Sequence, residues 1–466
     1  MKHVERIAFA ALLLVAVLPD IVAVCLAPEI VTPGQGILYL FTTVVLYCIG
    51  LCVVHKRAFF YIISLGFGFS LIEMIHLFLR HRSTTLLFLY TWFKTPPSQV
   101  MTALAQYWWI GLLILAVWVG YYVCAHRYIS REYIAPLRWR MPALVILVSI
   151  YMLLPMRPVP MNVVHQFGRL AILALQVEQN LPEQQHFSYY ITPKTDKVEE
   201  TVIVVAGECS YEEWIKTGYT DSLALLFDSV YVSCPVSGIA IPAFLSRATP
   251  KDQAPFFTER SVIKAFDEAG YYTAWISNLG YHEHFLMRIA DDCRYLHYQT
   301  NLPDTALVEP FRHAMSQSAT KHMTVLATQG THSAPDARQT AALLHQLTDS
   351  LRIVHQPALL LYVGATNVRM TKDSTDLHVP MVVWANPNFR YRHRSQLRTL
   401  YAQRHQKMTT EVVYHSLLYL NQIDYVAADE RKAIGSPRLE TADTLYYLDE
   451  NLRITEYSFA HPQLHE

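Results

Sequence analysis

Three side chains with the chemistry of a metal-dependent or nucleophilic site each follow a short apolar, β-branched run. Glu208 follows 201–205, within Ala206-Gly207-Glu208-Cys209-Ser210. Ser237 follows 228–232, within Ser233-Cys234-Pro235-Val236-Ser237-Gly238. His332 follows 323–327, within Thr328-Gln329-Gly330-Thr331-His332. A carboxylate and an imidazole are metal ligands, and a hydroxyl becomes a nucleophile once a metal or a base lowers its pKa. A fourth run, 359–363, leads into Gly364-Ala365-Thr366-Asn367, which offers neither carboxylate nor imidazole.

These runs, with two more at 272–276 and 380–384, alternate with helical patterns at 260–269, 306–317, 337–354 and 409–422. Buried apolar strands alternating with helices predict an α/β domain with a mainly parallel sheet sandwiched by helices. In such sheets ligands bind outside the carboxyl ends of the strands, which is where all four turns fall. Ser237 also suits a helix N-cap, and a helix N-terminus there would favour a bound phosphate. Among the other histidines, His165, His186, His322 and His355 read as surface or capping residues. His282 and His284, flanking Glu283, would share one face of a strand and so make the best substitute ligands. Of the seven cysteines, Cys209, Cys234 and Cys293 fall in this half; they lack metal-ligand spacing, and no disulfide pairing is legible.

The first 156 residues are different. The chain is 52% hydrophobic and 16% charged, against about a quarter charged in a soluble protein, and the apolar excess is concentrated there. Formal net charge is zero, which argues against a nucleic-acid partner. A bilayer core needs about 20 mainly apolar residues per helix, and five segments qualify: 7–27, 35–54, 58–79, 107–125 and 139–156. Pro19 and Asp20 in the first suit a kink near the outer interface or a polar contact within the membrane. Basic residues cluster before the first span (Lys2, Arg6), between spans two and three (Lys56, Arg57) and between spans four and five (Arg127, Arg131, Arg138, Arg140). With five spans these clusters share a side. The positive-inside rule makes that side cytoplasmic and puts everything after about residue 157 outside. The outer loop 80–106 is rich in Leu, Phe, Tyr and Trp, as an interfacial segment would be. Helical spacing over 163–180 predicts a bridging helix. The expected organisation is 1–156 in the membrane, 157–195 as bridge and linker, and 196–466 as the outer α/β domain.

The turns resemble those of the bacterial phosphoethanolamine transferases, five-span inner-membrane proteins with a periplasmic domain of the alkaline phosphatase/sulfatase type. Gly207-Glu208-Cys209-Ser210 is similar to that family's G-E-(S/T), whose Glu binds zinc, and Gly218-Tyr219 follows as its G-Y does. Counting back from Pro242, with Phe244 and Ser246 in register, Ser237 takes the place of the nucleophilic Thr. Gly330-Thr331-His332 matches G-S-H. The stretch 266–280, with Ala269-Gly270-Tyr271 and Trp275-Ile276-Ser277-Asn278, also looks like the family. The fourth turn departs. Where the family reads Y-V-S-D-H-G-E-S and binds zinc through its Asp and His, this chain has Tyr362-Val363-Gly364-Ala365-Thr366-Asn367. It then reaches Val379-Pro380-Met381 early, without the family's further H-G. Gln99 stands where the family often has Glu.

The resemblance implies a two-step reaction. A zinc-activated hydroxyl takes phosphoethanolamine from phosphatidylethanolamine, then passes it to a lipid A phosphate or a glycan hydroxyl. With Ala365 and Thr366 in place of two ligands, zinc binding is expected to be weak or absent, leaving Glu208 in an incomplete site. The first expectation is therefore an envelope pseudoenzyme that keeps the lipid partner, Ser237 at the nucleophile position and His332 in the cleft. It would act in binding or regulation, with an envelope protein as a further partner. The alternative is an active transferase of lipopolysaccharide or glycan modification with a rearranged metal site.

Overall fold

The computed structural model describes residues 2–26, 33–64, 86, 89, 97–153, 159–192, 199–235, 238–279, 284–300, 302–330, 334–365, 377–441, 444–449 and 451–457. The chain divides into two compact units, Met1–Leu173 and Ala174–Glu466.

The first unit is helical: Lys2–Leu26, Pro33–Val53, a stretch described over 56–64, Pro97–Tyr128 and Leu137–Leu153, then the helix Val159–His186, which crosses the boundary. Among the described residues, no helix is long and apolar enough to cross a membrane. Leu12, Ala16, Tyr47, Leu51, Phe59, Phe60, Tyr121, Ala125 and Ile129 form a shared apolar core. Tyr47 donates its phenol to the Ala16 carbonyl at 2.9 Å, tying the first two helices together. The chain start and two inter-helix turns meet at one end. Glu5 accepts from Ser130 Oγ at 2.6 Å and lies 3.6 Å from Lys56, and Arg57 Nε donates to Ile129 O at 2.7 Å. The fourth expected span begins ten residues early, at Pro97, inside the expected outer loop. Proline fits the first turn of a helix, where its missing N–H costs nothing.

The second unit is built on an eight-stranded sheet: β1 Glu200–Glu208, β2 Ala224–Tyr231, β3 Tyr272–Ser277, β4 Tyr295–Tyr298, β5 Lys321–Gly330, β6 Ala358–Gly364, β7 His378–Ala385 and β8 Met408–Thr409. Their order is β4-β3-β5-β1-β6-β7-β2-β8. Only β7 runs against its neighbours, β6 and β2, so the sheet is mainly parallel. A separate hairpin pairs β9 Leu445–Leu448 with β10 Ile454–Tyr457.

Alternation along the strands feeds two cores. Val202, Val204 and Ala206 of β1 face one, packed by helices Ala240–Leu245, Val262–Glu268 and Val412–Leu420. Ile203 and Val205 face the other, packed by helices Tyr211–Thr217, Val308–Met315 and Ala334–Arg352. The architecture is thus the expected helix–sheet–helix sandwich.

Candidate functional site

The carboxyl ends of β1, β5 and β6 are pressed together backbone to backbone. Gly207 pairs with Thr328 but Glu208 pairs with Gly330, so Gln329 is bulged out. A Cβ on Gly207 would lie 2.0 Å from Thr328 Oγ1, which donates to Ala206 O at 3.1 Å. Gly330 has φ +84, and a Cβ there would sit 2.1 Å from Glu208 O. Across β6, Ala365 N donates to Gly207 O at 2.8 Å, and a Cβ on Gly364 would lie 2.7 Å from Cys209 O. These glycines are what let three turns converge on one edge.

Glu208 is partly exposed as the last residue of β1. Behind it Cys209 is buried, its thiol donating to Ser210 O at 3.3 Å, and Ser210 caps the next helix by accepting from Glu213 N at 3.1 Å. Cys234 is buried like Cys209, and Cys293 is half-buried.

The bulge is held by Asp304, a residue the sequence reading did not single out. Its carboxylate accepts from Gln329 N at 3.0 Å, Gly330 N at 3.3 Å and Asn278 Nδ2 at 3.0 Å. Burial pushes its pKa up, against the pull of those donors. The signal available in sequence was slight: a Pro-Asp pair before an unremarkable helical run.

On the other side of β6, His378 opens β7 beside Tyr231 of β2. Its ring stacks on Tyr211 at 4.1 Å and on Tyr231 at 5.3 Å, and its Nε2 lies 2.7 Å from Asp228 O. Nothing in the sequence marks it, since it stands two residues before the apolar run 380–384. Next to it, β2 and β8 leave the sheet side by side. Ser233 N donates to Thr410 Oγ1 at 3.0 Å, and Thr410 N to Tyr231 O at 2.9 Å.

Ser237, His332 and Thr366 lie outside the described residues. So Glu208 and Ala365 are the expected site positions that the structure brings together. The helix after Ser237 takes Ile239 as its N-cap, not the serine. The H-x-H expectation is corrected in part. His282 lies outside the described residues, while His284 starts a helix, His284–Ala290, rather than sitting in a strand. Phe285, Leu286, Ile289 and Ala290 are buried at helical spacing, so strand alternation does not apply. His322 sits near the opposite, amino end of β5, its Nε2 3.0 Å from Ala319 O and its pKa lowered by burial. Gln99 lies in the first turn of helix Pro97–Tyr128, not in a loop.

A zinc centre of the expected kind does not fit the described residues. Ala365 has no donor atom beyond its backbone and is 2% exposed, and the carboxylate of Asp304 is committed to three N–H donors. Among the described residues, no group of three His, Cys, Asp or Glu side chains converges as metal ligands would.

No family model matches the sequence, and no curated protein does. Solved structures do match. The integral membrane lipooligosaccharide phosphoethanolamine transferase A (EptA) from Neisseria meningitidis aligns over 92% of this chain and 97% of its own. The identity is 14% and the TM-score 0.57. The C-terminal periplasmic domain of EcEptC from Escherichia coli aligns over 57% of this chain and 95% of its own, at 15% identity and a TM-score of 0.50. At such identities the likeness establishes the fold.

Proposed function

We propose that this chain, which shares its fold with the phosphoethanolamine transferases, is a membrane-anchored protein of the bacterial envelope that binds a phospholipid headgroup without zinc-dependent transfer. The observation that carries the reading is Ala365. It occupies the fourth turn, beside Gly207 and one residue from the backbone packed on Cys209, where the resemblance calls for a ligand. A hydroxyl at position 237 would then lack the Lewis acid that activates it and neutralises the phosphate. Binding is another matter. Glu208 offers a carboxylate that suits an ammonium group, and positions 237 and 332 supply a hydroxyl and an imidazole for phosphate oxygens.

The anchorage is part of the same proposal: five spans, the N-terminus cytoplasmic and 196–466 periplasmic at the inner membrane. It is supported by the basic clusters, by the meeting of the chain start with the 54–57 and 129–132 turns at one end, and by an alignment over 92% of the chain to an integral membrane protein.

Metal content of the purified full chain tests the reading, measured beside a Glu208→Ala variant at neutral pH with ample zinc. The expected result is no stoichiometric zinc in either protein. About one zinc per chain, lost in the variant, would overturn it and favour the rearranged-site transferase. That enzyme would then be assayed for phosphoethanolamine transfer that disappears in Ser237→Ala.

A further inference from the structure

From His378 to Thr410 the sequence carries Arg390, Arg392, Arg394, Arg398, Arg404 and Lys407 and not one Asp or Glu. In a chain of zero formal net charge this is a strong local excess. The structure sorts these cations. Arg392 lies 3.8 Å from Glu200, Arg390 donates to Leu223 O at 3.3 Å, and Arg404 packs 3.9 Å over the Tyr401 ring. His405 pairs with Asp228.

Two are left. Arg394 and Arg398 are exposed on helix Arg394–Gln403, and among the described residues neither meets an acidic partner. They stand four residues apart and Tyr401 follows three later, so all three share one stripe of the helix. The opposite face is pinned. Leu400 is buried, and Gln403 donates to Ser436 O at 2.7 Å while accepting from Gly435 N at 2.8 Å. The helix therefore cannot roll, and the stripe stays outward. Tyr401 is 61% exposed, and Tyr391, just before the helix, is 80% exposed.

Unpaired guanidinium groups beside exposed phenols match one kind of surface: a bilayer interface with anionic headgroups. Phosphates take the arginines, and amphipathic rings settle at headgroup depth. We infer that the Arg394–Arg398–Tyr401 stripe docks the α/β unit onto anionic phospholipid. This rests on the membrane anchorage proposed above and adds a second, reversible contact to it.

The test uses the full chain in nanodiscs of phosphatidylcholine alone or mixed with phosphatidylglycerol. Hydrogen exchange is followed over 390–407. Exchange slower in the phosphatidylglycerol discs, and restored by high salt or by Arg394→Glu with Arg398→Glu, is the expected result. Equal exchange in both discs, or protection that survives the double substitution, overturns the inference. Co-elution with the discs reports anchorage separately. A chain that stays outside them refutes the anchorage, and flotation with vesicles of the same lipids then decides the stripe. There, binding that depends on phosphatidylglycerol and weakens about 5-fold per arginine removed upholds it, and indifference to lipid charge sinks it.

Discussion

His415 shows how far a single buried group departs from its solution behaviour. It is 4% exposed in helix Val412–Leu420, and its Nδ1 accepts the Asp429 N–H at 3.1 Å, which requires a neutral ring. Burial first, then the charges of Lys432 and Arg247, push its pKa down to about 4, against the pull of Asp429. An unfolded histidine takes up its proton below about 6.5. Between those values the unfolded state binds more protons, so the contribution of His415 to stability is lost as pH falls from about 6.5 to about 4. The loss amounts to about 3 kcal/mol. Glu411 nearby has the opposite sign. Burial pushes its carboxyl up to about 7, so its contribution falls as pH rises from about 4.5 to about 7. The measurement is therefore a difference: urea unfolding of the parent and His415→Asn from pH 7 to pH 4. The parent's advantage should shrink by about 3 kcal/mol over that interval; a difference that ignores pH would show that the ring is not held neutral.

Among the elements, the junction at Asn386 does the most with one side chain. It follows β7, and its Oδ1 accepts from Phe389 N at 2.9 Å, capping the next helix, and from Ala358 N at 3.0 Å at the start of β6. Its Nδ2 donates to Gln356 O at 2.8 Å. Asn386→Ala would strand buried backbone groups on two elements and should cost about 3 kcal/mol, read as a lower midpoint in denaturant. A loss under about 0.5 kcal/mol, the range of ordinary surface changes, would mean that water replaces those bonds. The elements also mark where sequence reading succeeds. β1, β3, β5 and β6 were legible because each is a continuous apolar run buried on both faces. β2 was read four residues late because Asp228 and Ser229 interrupt its run at a register shift between Phe227 and Val230. β4, β8 and the β9–β10 hairpin span two to four residues each, too short to set up a period. Strand direction carries no local signature either, so the reversal of β7 was not foreseen. At the site, Glu208 was legible from its turn. Asp304 was not, because its role depends on contacts with residues 26 positions away in sequence.

At the scale of the whole molecule, the two units divide the physical problem. The second has two apolar cores, one on each face of its sheet. The first exposes many large apolar side chains, among them Trp108, Trp109, Leu112, Val145 and Ile146. A soluble surface rarely carries that much contiguous apolar area. In cells the chain should therefore stay with the membrane pellet through alkaline carbonate washing and be released by detergent. Release by carbonate alone would remove the anchorage on which the functional reading depends.

The reversal of β7 has a consequence for engineering. Because β7 runs against β6, the chain leaves β6 at Gly364 and re-enters at His378 at the same end of the two strands. No crossover has to be spanned, so the length of the 365–377 connection is nearly free. Doubling such a connection costs only about 0.6 kcal/mol in closure entropy. The segment could accept a transplanted ligand-bearing stretch without disturbing the strands around it.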